Sequence, residues 1–230
     1  MLTVTKCCRM FLAASLAASV SAYNVIENCK PGFVALTYDD GPNVYTSDLI
    51  NYLNQNNVKA TFFVNGDNFL DIESNYEAKN ALRSAYESGH QIASHTWSHQ
   101  DLTTLSKTKF DEEVFKLENA IQAVIHEKPA FLRPPYGSID YDTVEKLESE
   151  NYSVVLWSTD TKDYDTHDIE SEMANIEESV SSLDEGYIVL AHDVFEQTTG
   201  ELTREMVRYF KGRGFKFATV AECVGKSAYK

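Results

Sequence analysis

Short apolar runs rich in β-formers recur seven times along the chain, at residues 33–37, 60–64, 91–94, 130–133, 153–157, 187–191 and 216–219. Between them, apolar positions fall at helical spacing over residues 46–55, 76–88, 109–126, 141–149, 169–182 and 202–211. The runs are too uniformly apolar for a sheet with one wet face, so both faces are expected to be covered. Strands alternating with helices in this way predict βα units and a parallel sheet. Seven units predict an α/β fold closed as a distorted (β/α)7-type barrel, rather than an open doubly wound sheet. No fixed-period repeat, low-complexity tract or Pro/Gly-rich linker interrupts the pattern, so one catalytic-size domain is expected over residues 23–230.

The first 22 residues break the pattern and read as a secretory signal peptide. Lys6 and Arg9 precede an apolar stretch over residues 10–20 that only serines interrupt, and Val20-Ser21-Ala22 offers the small residues a signal peptidase reads. The stretch falls short of the roughly 20 apolar residues a membrane span needs. Cleavage after Ala22 would leave 208 of the 230 residues, within the range of one domain. The expectation is a secreted protein, extracellular or in the cell wall, monomeric and off the membrane once the leader is removed.

Cysteines and charge agree with that compartment. Cys7 and Cys8 leave with the leader, so the mature chain keeps Cys29 and Cys223, which in a secreted protein read as one disulfide. If the first and last strands are neighbours, this bond would staple the seam of the barrel. The formal charge is −15, and removing Lys6 and Arg9 takes it to −17. Such a surface argues against nucleic acid or anionic lipid as a partner and tolerates a neutral or cationic polymer.

In barrels of this kind chemistry gathers at the C-terminal ends of the strands. Here those ends carry Asp39-Asp40, Asn65, His95, Arg133, residues 160–163, and His192-Asp193. His95 and His99 stand at i, i+4, a spacing at which two imidazoles can share one metal ion; an unligated surface pair is the alternative. Thr96 follows His95 where a zincin-type motif carries its glutamate base, so the base must come from elsewhere. Asp39 and Asp40 are adjacent carboxylates that repel unless a cation neutralises one, which would leave the other free to accept a proton. Capping of the following helix by Asp-Gly-Pro is the competing reading.

Five segments carry a resemblance. Thr37-Tyr38-Asp39-Asp40-Gly41-Pro42, His95-Thr96-Trp97-Ser98-His99, Arg133-Pro134-Pro135-Tyr136-Gly137, residues 160–164 and Leu190-Ala191-His192-Asp193 resemble, in order, the five motifs of the polysaccharide deacetylase family, also called carbohydrate esterase family four. The stretch 60–64 resembles the family's second strand, and the whole is most similar to fungal chitin deacetylases. The resemblance implies that Asp40, His95 and His99 bind one divalent metal ion, zinc first and cobalt as an alternative. It implies Asp39 as the general base toward water, Arg133 as its partner, His192 as the general acid and Asp163 as the group orienting His192. The backbone N–H of Tyr136 would hold the developing oxyanion, while Leu190 and Tyr164 would line the acetyl pocket. Position 164 is tyrosine where the family usually has tryptophan, and position 38 is tyrosine where it usually has phenylalanine.

The implied activity is metal-dependent removal of acetyl groups from N-acetylglucosamine units of chitin or chitooligosaccharides, giving chitosan and acetate. Acetylxylan esterase and peptidoglycan deacetylase share the chemistry and stand as alternatives. A carbohydrate-binding protein on a decayed esterase scaffold would be expected to lack Asp39 or a ligand. A purely structural metal protein would need neither the Arg133–Asp39 pair nor His192. Trp97 and Trp157 are either sugar platforms or core, and Asn151-Tyr152-Ser153 is a glycosylation sequon.

Overall fold

The structure is a computed structural model that describes residues 24–230; the leader expected at residues 1–22 lies outside the described residues. Among the described residues eight strands pair in parallel: β1 (Phe33–Asp39), β2 (Ala60–Val64), β3 (Gln91–Ser94), β4 (Phe131–Leu132), β5 (Ser153–Val154), β6 (Thr159–Asp160), β7 (Tyr187–His192) and β8 (Lys216–Phe217). The sheet runs β5-β4-β3-β2-β1-β7-β6, with β8 paired to the start of β1. Around it lie α1 (Thr46–Gln55), α2 (Tyr76–Glu87), α3 (Lys107–Ile125), α4 (Tyr141–Ser149), α5 (Ile169–Ser179), α6 (Thr203–Gly212) and the short α7 (Val220–Val224). This is the expected distorted (β/α)7 barrel.

One strand differs from expectation in an instructive way. The apolar run at 153–157 does not form a single strand. Its first residues pair with β4, and the chain then shifts so that Thr159 and Asp160 pair with β7. The two ends of the sheet are therefore consecutive in sequence, and the ring closes through a kinked segment instead of a ladder. Ile26 runs alongside, its N–H donating to Val154 O and its carbonyl accepting from Leu156 N–H. The disulfide Cys29–Cys223 is present, with Cα atoms 5.0 Å apart. It ties the segments flanking β1 and β8, which do pair, but the seam of the barrel lies at 153–160, so the bond does not staple it.

Strand alternation decides what faces the barrel interior. On β1, Val34, Leu36 and Tyr38 point outward into the cluster formed with α1, α2 and α6, while Ala35 joins the inner cluster with Phe63, Ala93, Phe131 and Ile188. Period two then carries Thr37 and Asp39 inward above Ala35. The same rule sends Leu190 and His192 inward above Ile188, His95 above Ala93, and Arg133 above Phe131. The lower barrel is thus packed with apolar side chains, and the inward positions at the strand ends are polar.

The helices begin where local chemistry favours them. Side chains of Asn75, Ser106, Asp140 and Asp168 cap α2, α3, α4 and α5, and Thr219 with Glu222 forms a capping box on α7. By contrast, α1 is entered through Tyr45 without a side-chain cap. Asp39 and Asp40 therefore do not cap it, and the competing reading of that pair fails. Among the described residues no helix is long and apolar enough to cross a membrane.

Candidate active site

A cavity of about 380 Å³ opens at the C-terminal end of the barrel, lined by residues from β1, β7 and the loops after β3, β4 and β6. Asp39, Asp40, His95, His99, Tyr136, Tyr164, Leu190 and His192 all face it. Arg133 and Asp163 stand behind two of them. The ten residues to which the resemblance assigns a role are therefore brought to one place.

Three ligand atoms converge on one side. The Oδ1 of Asp40 lies 3.5 Å from His95 Nε2 and 3.3 Å from His99 Nε2, and one donor atom from each residue lies within 4.8 Å of the others. His95 Nδ1 sits 2.7 Å from the carbonyl of Arg133 and so carries the proton. Burial pushes the His95 imidazole down to about 3, and the nearby Asp40 only partly opposes it. His95 is therefore neutral, with the Nε2 lone pair aimed at a carboxylate. Asp40 Oδ1 is itself buried and has no hydrogen-bond partner. Lone pairs facing one another in this way are unfavourable unless a cation sits between them, and an Asp-His-His donor set suits a divalent metal. The residues present fit such an ion.

Beside them, Asp39 is 2 % exposed. Its Oδ1 accepts a 2.7 Å bond from Arg133 Nη1, which also donates to Thr37 Oγ1 at 2.8 Å. Nη2 donates to Leu156 O at 2.9 Å, and the guanidinium stacks 4.1 Å over the Phe63 ring. Arg133 is completely buried, so this is an interior ion pair and not a surface one. Burial lifts the Asp39 carboxyl above the ordinary carboxylate range, and Arg133 opposes the rise. The result is a more basic carboxylate held in one orientation, with Oδ2 left toward the cavity 3.7 Å from His95 Nε2.

Across the cavity, His192 Nδ1 meets Asp163 Oδ1 at 2.7 Å. The other oxygen of Asp163 accepts from the His192 backbone N–H at 2.7 Å and from Thr198 Oγ1 at 2.8 Å. Burial opposes charge on the imidazole, but the bond to Asp163, its charge and the charges of Asp39 and Asp40 together outweigh it, and the group is raised to about 9. His192 is thus a protonated imidazole with Nδ1 engaged, an arrangement suited to giving up a proton. The Tyr164 ring meets it edge-on at 5.5 Å, and its hydroxyl donates to Asp160 Oδ2.

Several residues to which the resemblance assigns no role also support the site. Asn65 Nδ2 donates to the carbonyls of His95 and Thr96, holding the ligand strand where it turns. Asp193 is buried, accepts from Thr46 Oγ1, and is raised to about 7, chiefly by burial. A side chain at Gly41 would place Cβ 2.2 Å from Asp193 Oδ2, so glycine is required after the acid pair. Thr198 lies on a single π-turn, Thr198–Leu202, which no periodicity announces. Trp157 lines the cavity, whereas Trp97 is buried beneath Lys116 and belongs to the core.

A family model described as polysaccharide deacetylase matches residues 27–155. A chitin deacetylase of Colletotrichum lindemuthianum is 38% identical over 206 residues, covering 87% of this chain and 83% of the relative. One from a Pestalotiopsis species is 36% identical over 214 residues, covering 92% and 70%. The solved structure of the Colletotrichum lindemuthianum chitin deacetylase superimposes with a TM-score of 0.85 at 37% identity, covering 91% of this chain and 96% of that one. A peptidoglycan N-acetylglucosamine deacetylase superimposes with a TM-score of 0.82 at 26% identity, covering 90% and 96%.

Proposed function

The chain belongs to the polysaccharide deacetylase family, and from that premise we propose that it hydrolyses the acetamide of N-acetylglucosamine units in chitin or its oligosaccharides, releasing acetate. The observation that carries the reading is a buried acid–arginine pair, a histidine engaged by a buried carboxylate and a cation-ready triad gathered around one cavity. Two chitin deacetylases at 36–38% identity support chitin over peptidoglycan or acetylated xylan as the substrate.

Asp40, His95 and His99 would hold the metal, with zinc the best match to two imidazoles and a carboxylate. When bound, the ion supplies Lewis-acid chemistry, polarising water and the acetyl carbonyl. Asp39 takes the proton of the attacking water on Oδ2 while Arg133 holds Oδ1. The backbone N–H of Tyr136 is the donor for the carbonyl oxygen as negative charge develops. When the C–N bond breaks, His192 delivers its Nε2 proton to the leaving nitrogen, and Asp163 keeps the ring aligned. Leu190 and Tyr164 enclose the methyl group, with Trp157 as a further wall. The smaller, hydroxylated ring at position 164 makes this pocket wider and more polar than a tryptophan would.

The signal-peptide pattern read over residues 1–22, the disulfide and the net charge of −15 support secretion and action outside the cell on a polysaccharide rather than on nucleic acid or anionic lipid. The test is acetate release by the purified protein from chitin oligomers, acetylated xylan and peptidoglycan, with chelator and with zinc restored. Chelator-sensitive release from chitin oligomers supports both chemistry and substrate. Release from another polymer alone retains the chemistry and moves the substrate. No release from any of them, with zinc bound, returns the fold to a binding role.

A further inference from the structure

His99 reaches the metal site from an unusual stretch of backbone. Thr96 and His99 both adopt left-handed conformations, with φ of 71° and 58°. Such conformations are unfavourable for non-glycine residues and persist only where the surroundings impose them. The first part of the turn is imposed by backbone contacts. Trp97 N–H donates to the carbonyl of Glu113 on α3, and Trp97 O accepts from Gly66 and Asp67. Beyond Trp97 those contacts stop.

The next segment is held chiefly by the side chain of Glu113, while on the cavity side the Tyr136 hydroxyl donates to His99 O at 3.4 Å and its ring meets the imidazole edge-on at 4.7 Å. Glu113 Oε2 accepts from Ser98 N–H at 2.8 Å, and Oε1 accepts from Ser98 Oγ at 2.6 Å and Gln100 Nε2 at 3.1 Å. The residues bonded are those on either side of His99. Glu113 is 5 % exposed, and among the described residues it forms no ion pair. A buried carboxylate needs compensation, and here the donors of this turn supply it. Glu118, on the same helix, is a useful contrast. It is equally buried, but its oxygens are taken by Lys128, Lys230 and Tyr152 on another face of the protein.

We propose that Glu113 is the positioning residue for the His99 ligand, its carboxylate setting the turn that delivers His99 Nε2 to the metal. The proposal rests on the metal-dependent reading above and adds to it a residue outside the five motifs. A metal site tolerates ligand displacements of only a few tenths of an ångström, so a turn with freedom at Ser98 and Gln100 presents His99 poorly. Loss of outer partners of metal-ligating histidines weakens binding by about 10–100-fold.

The experiment compares zinc affinity, by competition with a chromophoric chelator, in wild type, Glu113→Ala, Glu113→Gln and Glu118→Gln, together with the thermal midpoint of each metal-free protein. Glu113→Ala is expected to weaken zinc binding by about 10–100-fold, and Glu113→Gln by less, because its amide oxygen still accepts from Ser98 N–H. Glu118→Gln is expected to lower the midpoint while keeping zinc affinity within about twofold of wild type. Folded Glu113 variants that bind zinc as wild type does would overturn the proposal. So would a loss of affinity in Glu118→Gln as large as theirs, which would mark a general stability effect. A wild type that binds no zinc sinks the metal-dependent reading itself, before the variants are compared.

Discussion

Asp163→Asn gives a sharp test of the His192–Asp163 pair. The carboxylate accepts from both Nδ1 and the backbone N–H of His192. An asparagine keeps its shape, but with the amide oxygen toward the backbone N–H and Thr198, its NH2 faces Nδ1. That contact favours the neutral ring with its proton on Nε2 and disfavours the cation. In the wild type the imidazole is raised to about 9, so about 0.9 of it is protonated near pH 8. Without the Asp163 carboxylate, burial still opposes the charge while Asp39 and Asp40 still favour it, and the ordinary 6.5 taken as the variant's reference leaves about 0.03 protonated.

On that reference the kcat/KM for acetate release should fall about 30-fold near pH 8, with less than about a twofold protonation effect below pH 6. Stability follows the same titration. Because the folded value lies above 6.5, the pair contributes about 3 kcal/mol below pH 6.5, lost as pH rises through about 9. The variant should lack that contribution and its alkaline decline. The assay is a pH series of initial rates on chitin oligomers beside thermal melts at each pH. An alkaline limb that stays near 9, or an activity defect equal at every pH, would refute the assignment of His192 as the acid that Asp163 holds protonated.

Asp39→Asn should cut turnover by about 10²–10⁴-fold while zinc stays bound; full activity in the variant would remove Asp39 as the base. His95→Ala should lose both the metal and activity, checked by metal analysis of the purified protein, and retained metal would overturn the ligand set. Replacing Cys29 and Cys223 together by serine opens a bridge spanning a sequence separation of 194. The double variant should lose at most about 5 kcal/mol, or about 10–20 °C in Tm for a domain of this size; an unchanged melt would argue against the bond. His90 accepts from Ala60 N–H, and burial followed by the charge of Lys59 pushes it down to about 4. Its depressed value costs the fold about 3 kcal/mol as pH falls from 6.5 through about 4. His90→Gln should flatten that acid slope in thermal melts, and an identical slope would place the acid sensitivity elsewhere.

The elements and the chemical inventory were legible in the sequence. Apolar runs with both faces covered read as parallel strands because burial demands it, and 60–64 and 91–94 coincide with β2 and β3. The acids, histidines and arginine could be located at strand ends because period-two alternation places every second residue inside the ring. Their types told which would bind, accept or donate a proton, since ligand chemistry is a property of the side chain. Tertiary structure decided what depends on neighbours distant in sequence. The run at 153–157 is cut short because only its first residues pair with β4, while the residues just beyond it, Thr159 and Asp160, pair with β7, and no local pattern records which partner lies alongside. The pKa of His192 is set by Asp163, 29 residues away in sequence. The neutrality of His95 follows from burial, and a carbonyl 38 residues on fixes which ring nitrogen keeps the proton. Glu113 is one acid among several along α3, and its side chain acquires a task only where α3 packs against the turn that carries His99. Burial and hydrogen bonding across long separations are three-dimensional quantities, and that is why the sequence named the groups while the fold set their protonation, orientation and support.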